Sequence, residues 1–277
     1  MMFEIDYVVL VNQVALRGEL RKSRAGATRS IFGTTLKIDC LRTGHFPLLT
    51  KRKMFYKPVL GELAAFLKGA TDLKTFKDFG CNYWDANAGA WEENTGRPKD
   101  AWEVGQIYGA QWRDWLGSKQ DGYDQLKVLV SSIKANPHSR RHVLTTYDPE
   151  ETYACLPPCH LLAQFNVTND GELDCIVYMR SVDLCLGLPS DIVLYATLML
   201  VIGNQTQLKP GSLTFMMGDT HIYENHVSTW HTQASMPSYK LPKYNLDKIA
   251  TIDNFHPFYL DLLNYESGAK LDYTFNV

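Results

Sequence analysis

Apolar residues recur in the N-terminal part of the chain with two periods, which predict a mixture of helices and strands. Residues 3–21 carry apolar positions at near-helical spacing among charges, which predicts a peripheral amphipathic helix: Val8, Val11, Ala15 and Leu16. Residues 28–41 instead alternate apolar and polar positions, which predicts strands of a sheet. Residues 58–67 return to a helical pattern, with Pro58 in the first turn and Gly69 as a natural stop.

The middle of the chain, residues 72–122, is rich in Trp, Gly and Asn, which predicts short helices and irregular loops. Such loops often carry function. Residues 121–134 predict a longer helix that ends at Asn136 and Pro137. Its buried face is expected to hold Leu126, Leu129, Val130 and Ile133.

The second half begins with a hairpin signal, because Asn169-Asp170-Gly171 separates two strand-like runs, residues 160–168 and 172–180. Residues 188–201 are almost wholly apolar and longer than a strand, which predicts a buried central helix entered through Gly187-Leu188-Pro189. Residues 212–217 predict a strand and residues 221–234 a helix. The apolar tail, residues 271–277, is expected to dock. We see no internal repeat or linker, which favours one α+β domain over residues 1–277.

Charge and composition narrow the functional classes. A formal net charge of -2 over 277 residues creates no global field for a polyanion, so nucleic-acid binding is not expected and phosphate affinity would need a local arginine cluster. No apolar run approaches the length of a membrane span, and the N-terminal segment lacks the basic start of a signal peptide. We therefore expect a soluble cytoplasmic protein with no membrane partner, whose six cysteines are free thiols.

The sequence Leu156-Pro-Pro-Cys159-His160 is the first candidate for chemistry. Its two prolines exclude a helix interior, so Cys159 is expected to emerge from a fixed turn as a strand begins. A thiolate is a strong nucleophile, and a nearby His or Arg can lower the thiol pKa enough to populate it. A small buried hydrophobe is the alternative. Zinc binding by Cys155, Cys159 and His160 is not predicted, because the spacing is not CxxC and no second pair follows.

Each of the other notable charged residues has both a functional and a structural interpretation. Arg24, the pair Arg140-Arg141, and Arg180 with Ser181 could cage a phosphate, although each arginine alone is more often a surface charge. Glu62 is either a buried carboxyl with a raised pKa or a helix residue that faces water. Asp191, at the head of the apolar helix, is either a functional acid or an N-terminal capping residue.

His221, Tyr223 and His226 follow Gly218-Asp219-Thr220. The five-residue spacing of the two histidines does not place them on one helical face, so hydrogen bonding to a sugar hydroxyl is favoured over metal binding. The tryptophans are expected in the core, and one or two of them could line a flat aromatic ligand.

Taken in order, these segments resemble the thymidylate synthase superfamily over residues 24–277. The motifs that carry the resemblance are Arg24 with SIFG (30–33), FPLLTKRK (46–53), GELAAFLKG (61–69), YWDAN (83–87), YGAQWR (108–113), SRR (139–141), LPPCH (156–160), MRSVDLCLGLPSD (179–191) and GDTHIYENH (218–226). The resemblance implies a mixed, largely antiparallel sheet with a buried central helix. It also implies a homodimer formed through the sheet.

The resemblance further implies a chemistry. Cys159 matches the nucleophile that adds to C6 of a pyrimidine nucleotide, so that C5 attacks the methylene of the co-substrate 5,10-methylenetetrahydrofolate without a metal. Glu62 matches the residue that manages protons through ordered water, and Tyr108 and His160 match further catalytic positions.

The resemblance assigns binding roles as well. Arg24, Arg180 and Ser181 match phosphate ligands, Arg140 and Arg141 match a pair donated by the partner subunit, and His221 and Tyr223 match residues that hold the sugar. The folate pocket matches Trp84, Asn87, Leu156, Asp183, Leu186, Gly187, Ser190 and Phe275, and Asp183 is also placed near the nucleotide.

The chain departs from uracil-specific members at Asp191, where they have Asn. A carboxyl accepts from the cytosine amino group and can stabilise a proton on N3, whereas opposite uracil it meets O4 as a second acceptor, a mismatch of about 1 to 3 kcal/mol. Phage-type deoxycytidylate hydroxymethylases have the same Asp at this position, and the chain also resembles them in having Met179-Arg-Ser. We therefore expect dCMP as substrate, and a virus that modifies its cytosine as the source.

The final step is open between water and hydride. Asn87 and Ser190 replace residues that are aromatic in many synthases, which would loosen and wet the folate pocket and favour a hydroxymethyl product. Leu156, His160 and the apolar tail with Phe275 remain synthase-like, so a reductive dCMP methylase stays open. The next alternative is a dUMP methylase or hydroxymethylase. The last alternative is a nucleotide- or RNA-binding protein without turnover, which would need no thiol nucleophile.

Overall fold

A six-stranded mixed sheet forms the frame of the protein in the computed structural model, which describes residues 2–23, 25–96, 102–115, 122–149 and 153–276. The strands are β1 Glu19–Ser23, β2 Gly26–Ile38, β3 Val143–Thr145, β4 His160–Val167, β5 Glu172–Asp183 and β6 Lys209–Tyr223, in the spatial order β1-β2-β6-β5-β4-β3. Strands β5 and β6 pair in parallel, and the other neighbours are antiparallel. A separate two-stranded sheet joins β7 Lys243–Leu246 to β8 Leu260–Leu263. The expected α+β class with a mixed sheet is confirmed.

Eight α-helices surround this frame within the described residues. They are α1 Met2–Arg17, α2 Lys57–Leu67, α3 Leu73–Asp78, α4 Asp85–Thr95, α5 Tyr108–Arg113, α6 Gln125–Ala135, α7 Gly187–Thr206 and α8 Val227–Ser235. Short 3-10 helices lie at Cys40–Thr43, Glu224–His226 and Pro257–Tyr259. The expected short helices of the middle segment are α3, α4 and α5.

Helix α7 is the buried centre, as its apolar sequence predicts. Nearly every residue from Ile192 to Gly203 is buried against the sheet and helix α2. The helix is long and apolar enough to cross a bilayer, but 78% of its most apolar window is buried inside the protein. Because core helices of this kind pass the same test, its composition is weak evidence for a membrane span.

Three local predictions are confirmed by the backbone. Helix α2 has Pro58 in its first turn, and Gly69 follows it with a φ of 71°. Helix α6 buries the expected apolar face and is capped by Asp124, whose carboxylate accepts from the Lys127 amide. Strands β4 and β5 form the expected hairpin, and Gly171 takes a φ of 72° in its turn. Asp121, the predicted start of α6, lies outside the described residues.

Helix α1 is shorter than expected, and the residues on its buried face are not all those that the apolar spacing predicted. It ends at Arg17, and the chain enters β1 at Glu19. Tyr7, Val11 and Val14 are fully buried, whereas Leu16 is 73% exposed. The prediction for Leu16 was wrong because positions separated by four and three residues define the face that packs on the sheet.

The predicted helix over residues 221–234 was wrong at its start. Strand β6 continues through His221 and Tyr223, and α8 begins only at Val227. Pairing with β2 on one side and β5 on the other keeps this segment extended, a tertiary constraint that outweighs local pattern. Two residues apart on a strand, His221 and Tyr223 share a face.

The alternation of buried and open side chains reverses near Gly218. In β6 the buried positions are Leu213, Phe215 and Met217 before the reversal, and Thr220 and Ile222 after it. Strand β5 shows the same reversal, with Met179 buried and then Val182. Past the reversal, the alternate side chains of both strands line a cavity rather than the exposed face of the sheet.

Gly218 sits at one of the places where β6 passes close to the backbone of β5. A Cβ at Gly218 would lie 2.9 Å from the Arg180 carbonyl oxygen, a backbone atom that cannot rotate away. We therefore expect Gly218→Ala to lower the free energy of unfolding by about 1 to 3 kcal/mol, the usual cost of overpacking. Urea unfolding followed by circular dichroism measures the change.

Gly89→Ala in helix α4 is the matched control, because its added methyl meets no described atom within 4 Å. We expect that variant to be neutral or slightly stabilised by the better helix propensity of alanine. Equal unfolding midpoints for Gly218→Ala and the parent protein would contradict the close-approach argument.

Candidate active site

A cavity of about 460 Å³ opens where β5 and β6 end beside the start of α7. Most of the site residues predicted from the sequence line it: Glu62, Trp84, Asn87, Tyr108, Leu156, Cys159, His160, Ser181, Asp183, Leu186, Gly187, Ser190, Asp191, His221, Tyr223 and Phe275. Residues that lie more than 200 positions apart in the chain therefore meet at one place. Their roles in chemistry stay predictions at this point.

Arg180 braces the turn that carries Cys159. Its guanidinium donates from Nε to the Pro158 carbonyl and from Nη2 to the Pro157 carbonyl, both at 2.7 Å. Its backbone amide donates to the Cys159 carbonyl at 2.8 Å, and the Cys159 amide donates to the Tyr108 hydroxyl at 2.9 Å. The turn is therefore held on both sides, and Cys159 stays at the cavity wall.

The environment of Cys159 raises the pKa of its thiol above the usual value. Burial is the main cause, the Asp191 carboxyl adds to it, and the Arg180 guanidinium opposes both. The expected lowering of this pKa by a neighbouring Arg is present, but burial outweighs it, so the net shift is upward. His160 supplies no positive charge, since it is itself neutral.

His160 is buried between two tyrosines. Its ring stacks on Tyr108 at 3.8 Å with an interplanar angle of 9°, and its Nδ1 lies 2.8 Å from the Tyr195 hydroxyl. Burial lowers the pKa of His160 to about 3 and raises the pKa of Tyr195, so both are neutral near pH 7. The other ring nitrogen, Nε2, lies 3.8 Å from Asp191 Oδ1.

Glu62 is the buried carboxyl of helix α2, not a water-facing residue. The Tyr83 hydroxyl donates to Oε2 at 2.6 Å, and Trp84 Nε1 donates to Oε1 at 2.7 Å. Burial raises the pKa of Glu62 to about 7, and the two hydrogen bonds limit the rise. Tyr83 is a site residue that the sequence reasoning missed, because nothing in its spacing distinguishes it from the neighbouring loop residues.

Asp191 lies in the second turn of α7, so the capping alternative was wrong. The helix begins at Gly187 with Leu186 at its cap. Burial, together with the nearby Glu62 and Asp183 carboxylates, raises the pKa of Asp191 well above its ordinary value. The raised pKa favours the protonated form of this side chain, which has one donor and one acceptor.

The carboxylate of Asp183 binds backbone amides just before the start of α7. Its two oxygens accept from the backbone amides of Cys185 at 2.9 Å and Leu186 at 3.2 Å. The ligand atoms of Asp183, Cys185 and His226 lie within 4.8 Å of one another. Because backbone donors already occupy the carboxylate and the Arg52 guanidinium lies beside Cys185, we assign no metal here.

His221 and Tyr223 face the cavity from the end of β6. Nδ1 of His221 pairs with Asp219 at 3.1 Å, which orients the ring, and the Tyr223 ring packs edge-on against it at 5.2 Å. Ser181 joins them from the neighbouring strand β5. The three side chains place hydroxyl and imidazole groups along one wall, which is suited to a polar ligand.

The remaining arginines do not converge on the cavity within this chain. Arg140 and Arg141 are exposed between α6 and β3 and are not among the residues that line it. Arg24, the fourth predicted phosphate ligand, lies outside the described residues. Of the predicted phosphate ligands that the structure describes, Ser181 lines the cavity, whereas Arg180 is not among the lining residues and its guanidinium bonds to the Pro157 and Pro158 carbonyls.

Comparison with known proteins identifies the family. The thymidylate synthase family model matches residues 5–277. The chain is 38% identical over 252 residues to thymidylate synthase 1/2 of Encephalitozoon cuniculi, covering 87% of this chain and 85% of that protein. It is 36% identical over 276 residues to the thymidylate synthase of human herpesvirus 8, covering 95% and 81%.

A third relative is longer. The bifunctional dihydrofolate reductase-thymidylate synthase 2 of Arabidopsis thaliana is 35% identical over 283 residues, which cover 97% of this chain and 49% of that protein. The matches and the cavity agree on one conclusion. The chain belongs to the thymidylate synthase family, whose enzymes carry out folate-dependent one-carbon transfer to C5 of a pyrimidine nucleotide.

Proposed function

We propose that this protein transfers a one-carbon unit from 5,10-methylenetetrahydrofolate to C5 of dCMP, and that water completes the reaction to give 5-hydroxymethyl-dCMP. Asp191 carries the proposal, because its acid group opens into the same cavity as the Cys159 thiol. The substrate base would lie between the two. The source would be a virus that modifies its cytosine, and the enzyme would act in the cytoplasm without nucleic-acid or membrane partners.

The walls of the cavity fit a nucleotide and a folate together. Trp84, Leu156 and Leu186 offer apolar surface to a flat pteridine ring, and the Asp183 carboxylate can accept from ring N–H groups. The folate supplies the one-carbon unit when it is bound. No ligating cluster is required for this chemistry, and we propose that the enzyme works without a metal.

The protonated Asp191 favours attack on cytosine. Its carbonyl oxygen accepts from the amino group at C4, and its O–H donates to N3. A proton shared with N3 draws electrons from the ring, which makes C6 more open to the thiol of Cys159. Because burial keeps the thiol protonated, its proton would pass to the nearby Asp191, which has given its own proton to N3, as the C6–S bond forms.

His160 and Tyr108 would support the base and the nucleophile. Nε2 of His160 faces Asp191 at 3.8 Å and would hold a water or the C4 substituent. The Tyr108 hydroxyl fixes the backbone of Cys159. Glu62, with a pKa of about 7, can take up and release a proton near neutral pH.

The nucleotide phosphate would bind Arg180, Ser181 and Arg24, and the sugar would bind His221 and Tyr223. Arg180 spends two N–H groups on proline carbonyls, and a guanidinium has five donors, so several remain for a phosphate. Asn87, Ser190, Gly187 and Phe275 would complete the folate side of the cavity.

A homodimer would supply Arg140 and Arg141 from the partner subunit. The sheet face away from α7 carries exposed apolar side chains on paired strands: Val143, Ile176, Tyr178 and Met216. An exposed apolar sheet face of this kind is typical of a protein interface. Both arginines lie directly before β3, the edge strand beside that face.

A second candidate is reductive methylation, and the relatives favour it. Those with 35–38% identity over most of this chain are named thymidylate synthases. A neutral Asp191 also weakens the expected mismatch with uracil, because its O–H can donate to O4 while its carbonyl accepts from N3–H. Both dCMP and dUMP therefore belong in the assay.

The product distinguishes the two functions. With methylenetetrahydrofolate and dCMP, we expect mass spectrometry to show the gain of a hydroxymethyl group, with no rise in dihydrofolate absorbance. A methyl product with equimolar dihydrofolate would select the reductive methylase, and preferential turnover of dUMP would overturn the cytosine assignment.

The Cys159→Ala variant removes the nucleophile and is expected to reduce turnover to background, because no other group at the cavity wall can add to C6. Calorimetric titration should still show binding of dCMP, since the phosphate and sugar contacts remain. Cys40→Ala, far from the cavity, serves as the control and should retain activity. Substantial product from Cys159→Ala would contradict the mechanism.

Asp191→Asn tests the base reading. An amide N–H can hydrogen-bond to N3 but cannot transfer its proton to it, so activation of cytosine is lost and we expect the ratio of kcat/KM for dCMP over dUMP to fall about tenfold or more. Asp170→Asn, in the exposed hairpin turn, is the matched control. An unchanged ratio would mean that other groups read the base.

Sharing of arginines across the dimer predicts complementation. Neither Cys159→Ala nor the double variant Arg140→Ala/Arg141→Ala should be active alone, because each lacks one part of every site. Random mixing of subunits should restore about a quarter of the parental sites, since half of the dimers are mixed and each mixed dimer has one intact site. Activity of the arginine variant alone, or no recovery in the mixture, would contradict the shared site.

A further inference from the structure

Tyr83 makes a contact that the proposed mechanism does not yet use. It stands just before helix α4, and its hydroxyl is 2.6 Å from Glu62 Oε2. The neighbouring Trp84 donates to the other oxygen, Oε1, at 2.7 Å. Two consecutive residues therefore clamp both oxygens of one buried carboxyl, which fixes the plane of the carboxyl group.

The direction of both hydrogen bonds is settled by chemistry. An indole N–H can only donate. The Tyr83 hydroxyl also interacts with the buried thiol of Cys81, and burial together with Glu62 raises the pKa of the phenol well above its ordinary value. Tyr83 therefore keeps its proton and donates it to Glu62. Donors on both oxygens stabilise the carboxylate more than the acid.

Tyr83 and Trp84, the two residues that clamp the Glu62 carboxyl, differ in exposure. Glu62 is 8% exposed and Trp84 5%, whereas Tyr83 is 36% exposed. All three line the cavity that contains Cys159. Tyr83 is thus the arm on the solvent side, where a water molecule can approach Glu62 along the edge of the phenol ring.

We propose that Tyr83 is a positioning residue that acts through Glu62, holding this carboxylate as the base that takes a proton from the water that attacks the substrate. The inference rests on the hydroxymethyl product proposed above, and it names the group that would activate the water.

The proposed step balances as follows. The water oxygen forms a bond to the methylene carbon attached to C5, and one water proton passes to Glu62. The electrons of the double bond between C5 and the methylene carbon move into the pyrimidine ring. They then form the double bond between C5 and C6 as the bond from C6 to Cys159 sulfur breaks, which releases the thiolate. The proton on Glu62 returns to solvent, and no oxidant or reductant is consumed.

Tyr83→Phe tests the clamp with little change in shape. Because the base must be ionised, the wild-type rate should rise with pH through about pH 7, the region of the Glu62 pKa. Loss of the phenol donor destabilises the carboxylate, so the acidic limb of the kcat profile should move up by about one pH unit. The rate at pH 6 should then fall about tenfold and recover above pH 8.5, with little change in the KM for dCMP.

Tyr153→Phe is the matched control. It removes a phenol bond of similar length, 2.7 Å to Glu103 Oε2, that lies outside the cavity. Its kcat profile should overlay that of the parent enzyme. A uniform loss of rate at all pH values in Tyr83→Phe would indicate a merely structural role and overturn the inference.

A titration without turnover separates this inference from the proposed function. The carboxyl carbon of Glu62, labelled with carbon-13 and assigned with Glu62→Gln, should titrate about one unit higher in Tyr83→Phe. An unmoved titration would overturn the clamp whatever the product. A moved titration with a methyl product would instead overturn the hydroxymethyl function and the water step together.

Discussion

The position of the Cys159 turn depends on Arg180. One side chain and its own backbone amide make three hydrogen bonds to consecutive residues, Pro157, Pro158 and Cys159. The prolines have no N–H of their own, so their carbonyls take no regular ladder partner and are available to the guanidinium. Because Arg180 lies on β5 next to Ser181, its hydrogen bonds join the turn that carries Cys159 directly to a strand that lines the cavity.

Buried acids set the electrostatics of the site. Glu62 and Asp191 both have raised pKa values, and the Glu62 carboxylate makes ionisation of Asp191 less favourable. Burial keeps His160 and the Cys159 thiol neutral near pH 7, so neither adds a charge to the cavity. Because burial is the main cause of the raised thiol pKa, a further positive charge beside Cys159 would be needed to favour the thiolate.

Local pattern predicted the elements whose own sequence determines them. The hairpin at Gly171, helix α2 with Pro58, and the wholly apolar α7 needed no knowledge of their neighbours. The start of α8 failed because β6 is held extended by two flanking strands, which no local window contains. Residue motifs likewise predicted which side chains meet in the cavity.

The pKa shifts of the site residues could not be predicted from the sequence. Arg180 sits close enough to Cys159 to favour its thiolate, as expected, yet burial outweighs that effect. Asp191 looks like a capping acid from its position after Gly187, but the helix starts four residues before it, and burial, helped by the surrounding carboxylates, raises its pKa well above the ordinary value. Both outcomes depend on how deeply a group is buried, a quantity that spacing along the chain does not encode.

Whether water or hydride completes the reaction depends more on the volume left beside Ser190 than on the polarity of its side chain. Ser190 was expected to wet the folate side, but its hydroxyl donates to the Leu186 carbonyl one helical turn back, at 3.0 Å. What the small side chain contributes is therefore volume. The tail is held on both sides of Phe275, because the Thr274 carbonyl accepts from His226 and Asn276 Oδ1 accepts from Asn225. Phe275 itself lines the cavity while it is 51% exposed, so the space beside Ser190 is bounded by a side chain that solvent also reaches.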